Sequence, residues 1–311
     1  MKHKPKDMSD PRVLRAESAR MSEDLNRIMR GREFNSDEEL NEFMQGIIGK
    51  SFDDIEMPEM TTQDKAQYLV YDAWEVESAK RRREMARKAL ELWPDCADAY
   101  CVLAEEANSV AEERSMLEAA VAAGERAIGP EPFKEDVGRF WGIHETRPYV
   151  RARFMLANFL WNEEEDEAAI KHARELLRLN PRDNLGVRYS LVGWLLACGN
   201  DPAAVVLLDR HDEDSACWKY ARALLEFRTW GDADRARATL ERAFQSNEVL
   251  ADYMVALGSG IDELPEDSDL ELAEEAIVAV NDLGEPWLMT PGALDWLRDR
   301  WLSRDSGRKK R

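Results

Sequence analysis

The sequence predicts an all-α solenoid of antiparallel helix pairs, and three observations carry that expectation. Ala, Leu, Glu and Arg dominate while Gly and Pro gather at segment joints, a composition that favours helix. No sustained alternation of β-branched residues offers a strand. Helical pairs also recur along the chain at a nearly constant spacing, the mark of a repeat architecture.

Taken in chain order, MKHKPKDMSD leads into charged helix, and Ser36 with Glu39 forms a capping box ahead of the amphipathic run EELNEFMQGII. Residues 50–62, KSFDDIEMPEMTT, read as an acidic linker that closes an N-terminal helical extension over 1–62. Within it the run FNSDEELNEFMQGIIGK is expected to be a helix that docks on the first repeat and covers its exposed apolar face; a mobile partner-binding element is the alternative.

Repeats follow over 63–262, with the period of about 34 residues that belongs to tetratricopeptide units. The clearest unit runs from Val150 to Asp183, with Leu156 and Ala157 as its large-small pair, Ala169 at the helix crossing and Pro181 at its close. The crossing alanine returns at Ala203, 34 residues on, and at Ala236, 33 further. Tyr220, Ala223, Leu224, Phe227, Leu240 and Ala243 fill the corresponding slots of the last of these units. Upstream, Tyr100, Leu103, Ala104 and Ala123 give another copy, preceded by one that ends with Ala89 and Pro94. Pro94 and Pro181 lie 87 residues apart, about nineteen more than two periods, which places an insertion near 129–147. Residues 263–304 drift from the period and read as capping helices, with Leu294, Leu297 and Trp301 covering the end of the stack. A basic tail, 305–311, completes the chain.

The net charge is −20, which disfavours non-specific nucleic-acid binding because a phosphate-binding surface concentrates Lys and Arg. No run of 18 apolar residues suggests a membrane span, and Cys96, Cys101, Cys198 and Cys217 lack CxxC spacing. Buried thiols in a cytoplasmic, reducing compartment are the expectation.

The block AYCVLAEE, within DCADAYCVLAEEANSVAEERSMLEAAVAAG at 95–124, the arginine-rich stretch at 147–153 and EAAIKHARELLRLNP at 167–181 together resemble the suppression-of-tumorigenicity protein seven family of tetratricopeptide-like proteins. The likeness covers roughly residues 66–260. It implies a helical repeat fold and supplies no catalytic residue to carry over. Eukaryotic members carry membrane-spanning segments ahead of this region, whereas this chain reads as a soluble, bacterial-type relative.

Catalytic motifs are missing from the sequence. His144-Glu145 lacks a second histidine one turn on, where Pro148 stands, and neither a phosphate-binding glycine loop nor a nucleophile elbow is present. No cofactor and no metal are expected. A non-enzymatic interaction scaffold is the preferred reading, because the first helices of stacked pairs line a groove. Positions facing that groove are Arg151, Phe154, Asn158 and Trp161, with Arg147 one turn before Arg151, and Arg188 beside Tyr189 in the next repeat. Arginine forks match carboxylates and asparagine can bond an extended backbone, so the expected partner is an acidic or extended protein segment. The pattern resembles in part the carboxylate clamp of chaperone-binding tetratricopeptide domains, with Asn158 in place and Phe154 where lysine is expected. Alternatively these arginines pair with the protein's own acids, such as Glu135, Asp136 or Glu145.

Phe133, Phe140 and Trp141 in the insertion must also pack somewhere, each contributing roughly 1.5–3 kcal/mol when buried. Outside the groove they buttress a helix joint; inside it they act as a gate. A second function class keeps the array as a regulatory platform that meets nucleic acid or a larger complex through its terminal segments.

Overall fold

The computed structural model describes residues 10–308 except 31, 33, 50–54, 56, 212 and 260–269. The basic tail beyond 308, the first nine residues and residues 50–54 and 56 of the acidic linker therefore lie outside the described residues. Everything described is helix, turn or loop, so the all-α, tetratricopeptide-like architecture holds. The chain forms two compact units, 1–159 with 178–184 and 160–177 with 185–311.

The first unit opens with α1 (Pro11–Met29) and α2 (Asp37–Ile47), then pairs α3 (Thr62–Glu75) with α4 (Ala79–Leu92) and α5 (Ala97–Glu105) with α6 (Val110–Ile128). A short α7 (Pro132–Glu135) precedes α8 (Arg147–Asn162). Side-chain caps start these helices where the sequence offers them. Thr61 and Asp64 form a reciprocal box at α3, and Ser109 Oγ accepts from Glu112 N at α6. Small residues then set the helix spacing: Ala66, Ala73, Ala86, Ala89, Ala99 and Ala123 are all completely buried. At Gly124 an added Cβ would lie 2.8 Å from Tyr149 Cβ, so α6 and α8 cross at a distance only glycine permits.

The insertion is folded rather than structureless. It comprises α7 and two 3₁₀ turns, Phe140–Gly142 and His144–Thr146. Phe140 is completely buried and its ring meets Phe133 at 5.1 Å and Tyr149 at 6.3 Å. The Thr146 hydroxyl ties the turns together by donating to the carbonyls of Phe140 and Ile143.

The border between the units runs through α8 and α9 (Asp166–Leu179). In the second unit, α10 (Val187–Ala197) pairs with α11 (Asp201–Arg210) and α12 (Ala216–Trp230) with α13 (Asp234–Ser246). After these come α14 (Glu248–Ser259), α15 (Leu270–Met289) and α16 (Ala293–Arg308). The repeat slots at Leu156, Ala157, Ala169, Ala223, Leu224, Ala236, Leu240 and Ala243 are buried as their spacing requires. One is displaced: the crossing residue of α11 is Ala204, fully buried, whereas Ala203 is half-exposed. Asn200 caps α11 by accepting from Ala203 N, which holds that alanine in the exposed first turn.

Cys198 is also a departure, since it is exposed at the end of α10 while Cys96, Cys101 and Cys217 are buried thiols. The apolar pattern ends at Ala197, and the helix with it.

Candidate functional site: the face of the first helices

In the first unit the first helices α3, α5 and α8 form one face, and α1 lies on it. The insertion meets α1 through His144, beside Ser22 and Glu23, and through Glu145, which accepts from Asn26. Packing of α1 on α3 places Ala16 in the same buried cluster as Val70, Trp74 and Val102. Ala16 and Ile28 are its only fully buried apolar side chains among the described residues. Polar groups make the rest of the contact. Arg20 pairs with Glu75 and Asp72, and Arg30 forks onto Asp64 at 2.8 and 3.0 Å. The Arg27 guanidinium donates to the Pro58 carbonyl at 2.6 Å, and Arg15 lies 4.1 Å from the centroid of Trp74.

The acids of α1 meet a cluster of hydroxyls and nitrogens. Glu23 is buried, 2.7 Å from His144 Nε2, and accepts from the Tyr71 hydroxyl at 3.4 Å. Tyr68 donates its hydroxyl to Asp24. Burial, and then the neighbouring carboxylates, push both tyrosine hydroxyls well above their usual range, so they remain donors. Arg147 donates to Ser22 Oγ at 2.5 Å and to the Trp141 carbonyl at 2.9 Å, with its guanidinium 5.4 Å from the Trp141 ring. Among the described residues its hydrogen bonds thus go to neutral acceptors. Burial and the adjacent Arg151 charge hold its pKa below the usual guanidinium value.

Arg151 is one turn on and faces inward. Its guanidinium forks onto Asp98 of α5 and lies 5.8 Å from the Trp74 ring. Asp98 also accepts from Gln67 of α3 at 2.8 Å, so a single carboxylate gathers α3, α5 and α8. Burial alone would raise that carboxyl, but the Arg151 charge and the hydrogen bonds from Arg151 and Gln67 outweigh it and hold it below the usual range.

The sequence-selected residues are divided between the units. Arg147, Arg151, Phe154 and Asn158 belong to the first, and Asn158 spends an amide donor on the Phe154 carbonyl of its own helix. Trp161, Arg188 and Tyr189 belong to the second. There Trp161 stacks on Trp194 at 5.2 Å, and Arg188 pairs with Glu213 at 2.7 Å beside the rings of Tyr189 and Trp218. Arg151 and Arg188 therefore do pair within the protein, with Asp98 and Glu213 rather than with acids of the insertion. Phe133 and Phe140 line the joint of the insertion with α8, and Trp141 is half-buried against Arg147.

The first helices of the second unit are covered as well. Along α10 and α12 runs α15. Ser190 donates to Asp282 at 2.9 Å, and Arg228 reaches the Pro286 carbonyl and the Thr290 hydroxyl. Buried Asn247 secures the start of α15 by donating to the Leu272 carbonyl and to Glu275.

Sequence reasoning expects helix at both places, α1 in the N-terminal extension and α15 among the capping helices over 263–304, but puts neither along the first helices. The signal for α1 was faint, because its apolar residues are few; that for α15 lay in Ala276, Ala279 and Leu283, at helical spacing and buried. Among the described residues no group of three or more His, Cys, Asp or Glu side chains is placed to hold a metal, and no helix is long and apolar enough to cross a membrane.

The family model described as ST7 protein matches residues 52–257. Among solved structures, YrrB, described as a TPR protein with an unusual peptide-binding site, is similar over 64% of this chain and 90% of that chain, with 20% identity and a TM-score of 0.44. No curated protein sequence matches the chain.

Proposed function

The chain belongs to the ST7 protein family, and from that premise we propose that it is a cytoplasmic, non-enzymatic scaffold for protein–protein interaction whose first unit receives a partner segment on the face of α3, α5 and α8. One observation carries the reading: a helix already lies there, held by little apolar surface. Glu23 and Asp24 point its acidic side at His144, Tyr71 and Tyr68. Ion pairs such as Arg20 with Asp72 are half open to solvent and contribute modestly to holding it. A partner helix with acids at the same positions would make the same contacts, and a carboxylate near Ser22 would meet Arg147, whose present acceptors are neutral. In this reading α1 is the resident ligand, Arg147 recognises the partner and Arg151 supports the face from beneath. The four unpaired thiols fit a reducing compartment.

The test releases α1 and offers it back. In Arg20→Glu, Arg30→Glu the new carboxylates face Asp72, Glu75 and Asp64, so α1 should detach and become a protease target while the repeats stay helical. A fluorescein-labelled peptide of residues 10–30 should then bind that variant at least about tenfold more tightly than the unmodified protein, whose site is occupied. Adding Arg147→Glu should remove the gain. No binding to a variant whose α1 is demonstrably released would end the proposal.

A further inference from the structure

Within the second unit, the first half of α15 borders a cavity that its own helices leave open. Its volume is about 370 Å³, inside the range of roughly 300–1,000 Å³ common to ligand sites. Tyr189 of α10, Cys217 of α12 and Val278 and Ala279 of α15 give it largely apolar walls. The Cys217 thiol stays neutral there, because burial pushes its pKa well above the usual range. The mouth opens on an apolar face: Leu270 is 74%, Ile277 44% and Val278 57% exposed, on one side of the helix at i, i+7 and i+8.

Asp282 decides what the cavity takes. It lines the cavity half-buried, and among the described residues its carboxylate accepts from Ser190 at 2.9 Å and pairs with no Lys or Arg. Burial pushes its pKa up to about 6, opposed only by that hydrogen bond. Glu275, also in the wall, is held by Ala216 N and Asn247. Arg188, whose guanidinium lies 4.7 Å from the Tyr189 ring centroid, is taken by Glu213. Exposed acids such as Glu271 and Glu274 at the rim lose little by staying solvated, whereas a half-buried carboxylate without a cation carries a penalty that a guanidinium or ammonium would remove.

We propose that this cavity receives a lysine or arginine side chain from a partner segment whose flanking apolar residues lie on Leu270, Ile277 and Val278. The apolar stem of such a side chain suits the walls while its charged head reaches Asp282. Nucleic acid and an anionic bilayer carry the wrong sign for this site. All its residues belong to the second unit, so the proposal does not depend on the face that α1 covers.

A phage-displayed library of random peptides, selected on the full-length protein, tests it. The peptides retained should centre on Lys or Arg between Leu, Ile, Val or Phe. A fluorescein-labelled copy of one should bind Asp282→Asn at least about tenfold more weakly, and exchanging its cationic residue for citrulline or norleucine should cost as much. Asn keeps a group that Ser190 can bond, so the variant should stay folded, which its thermal midpoint checks. Val278→Arg lays a guanidinium across the mouth from an exposed position and should block binding without lowering the midpoint. Retained peptides that lack a cation would overturn the proposal, as would no retained peptide, or binding indifferent to Asp282→Asn, to Val278→Arg or to the neutral peptide.

Discussion

Arg151 and Asp98, 53 positions apart in sequence, meet as two parallel forks: Nε donates to one carboxylate oxygen at 3.0 Å and Nη2 to the other. Asp98 is 1% exposed, so the pair lies in the packed interior and joins the first helices of three successive pairs through Gln67. A residue that looks, by repeat position, like part of a binding surface is here an element of the fold.

Removing one partner should therefore cost far more than a surface charge would. Arg151→Ala leaves an uncompensated buried carboxylate and is expected to destabilise the first unit by about 3–5 kcal/mol, whereas Asp98→Leu with Arg151→Met should recover much of the loss. Because Asp98 is held below its unfolded pKa, its contribution is present above about pH 4 and disappears as pH falls through its lowered folded value. Urea unfolding of the single and double variants checks this. A single variant as stable as the unmodified protein would mean that the pair is solvated.

The helical class, the period and the crossing alanines were legible because each rests on local composition or on spacing, which a repeat preserves. The Arg151 partner was not. Sequence proximity pointed to Glu135, Asp136 and Glu145, while the actual acid lies between Ala97 and Ala99 in a run where every neighbour is buried. An acid in that setting was the available signal. The docking of α1 was hidden for a different reason: its polar contacts reach residues 31 to 125 positions away, and few apolar residues announce the docked face. The amphipathic stripe of α2 was plain in sequence, and Leu40, Phe43, Met44 and Ile47 are half-buried while most other residues of the helix are exposed; the helix that packs on α3 is α1.

Gly193 is expected to tolerate no side chain. Pro286 has no N–H, so the carbonyl of Asp282, one turn before it in α15, lacks its helical donor. That oxygen instead abuts Gly193 of α10, where an added Cβ would fall far inside van der Waals distance of it. Gly193→Ala should cost about 3 kcal/mol through the forced shift of α15 and should speed amide hydrogen exchange in α10 and α15 together. Gly46→Ala in α2 meets nothing within 4 Å and serves as the harmless control. An unchanged midpoint for Gly193→Ala would mean that α15 does not rest on α10.

The Asp282 carboxyl gives this contact a pH dependence of opposite sign to that of Asp98. Burial pushes its pKa up to about 6, with the hydrogen bond from Ser190 Oγ only partly opposing the rise. The folded state therefore holds this proton more tightly than the unfolded chain, and stability falls as pH rises through the window from about 4 to about 6. The full shift sets an upper limit of roughly 3 kcal/mol; partial solvent contact should bring the measured loss nearer to about 1–2 kcal/mol. Asp282→Asn keeps a polar group that Ser190 can bond but has no charge to bury. Its unfolding free energy should match that of the unmodified protein at pH 4 and exceed it by that amount at pH 7, all other carboxylates cancelling in the difference. If the two curves run parallel across the window, Asp282 is solvated in the folded protein and α15 bears no ionisation cost at this contact.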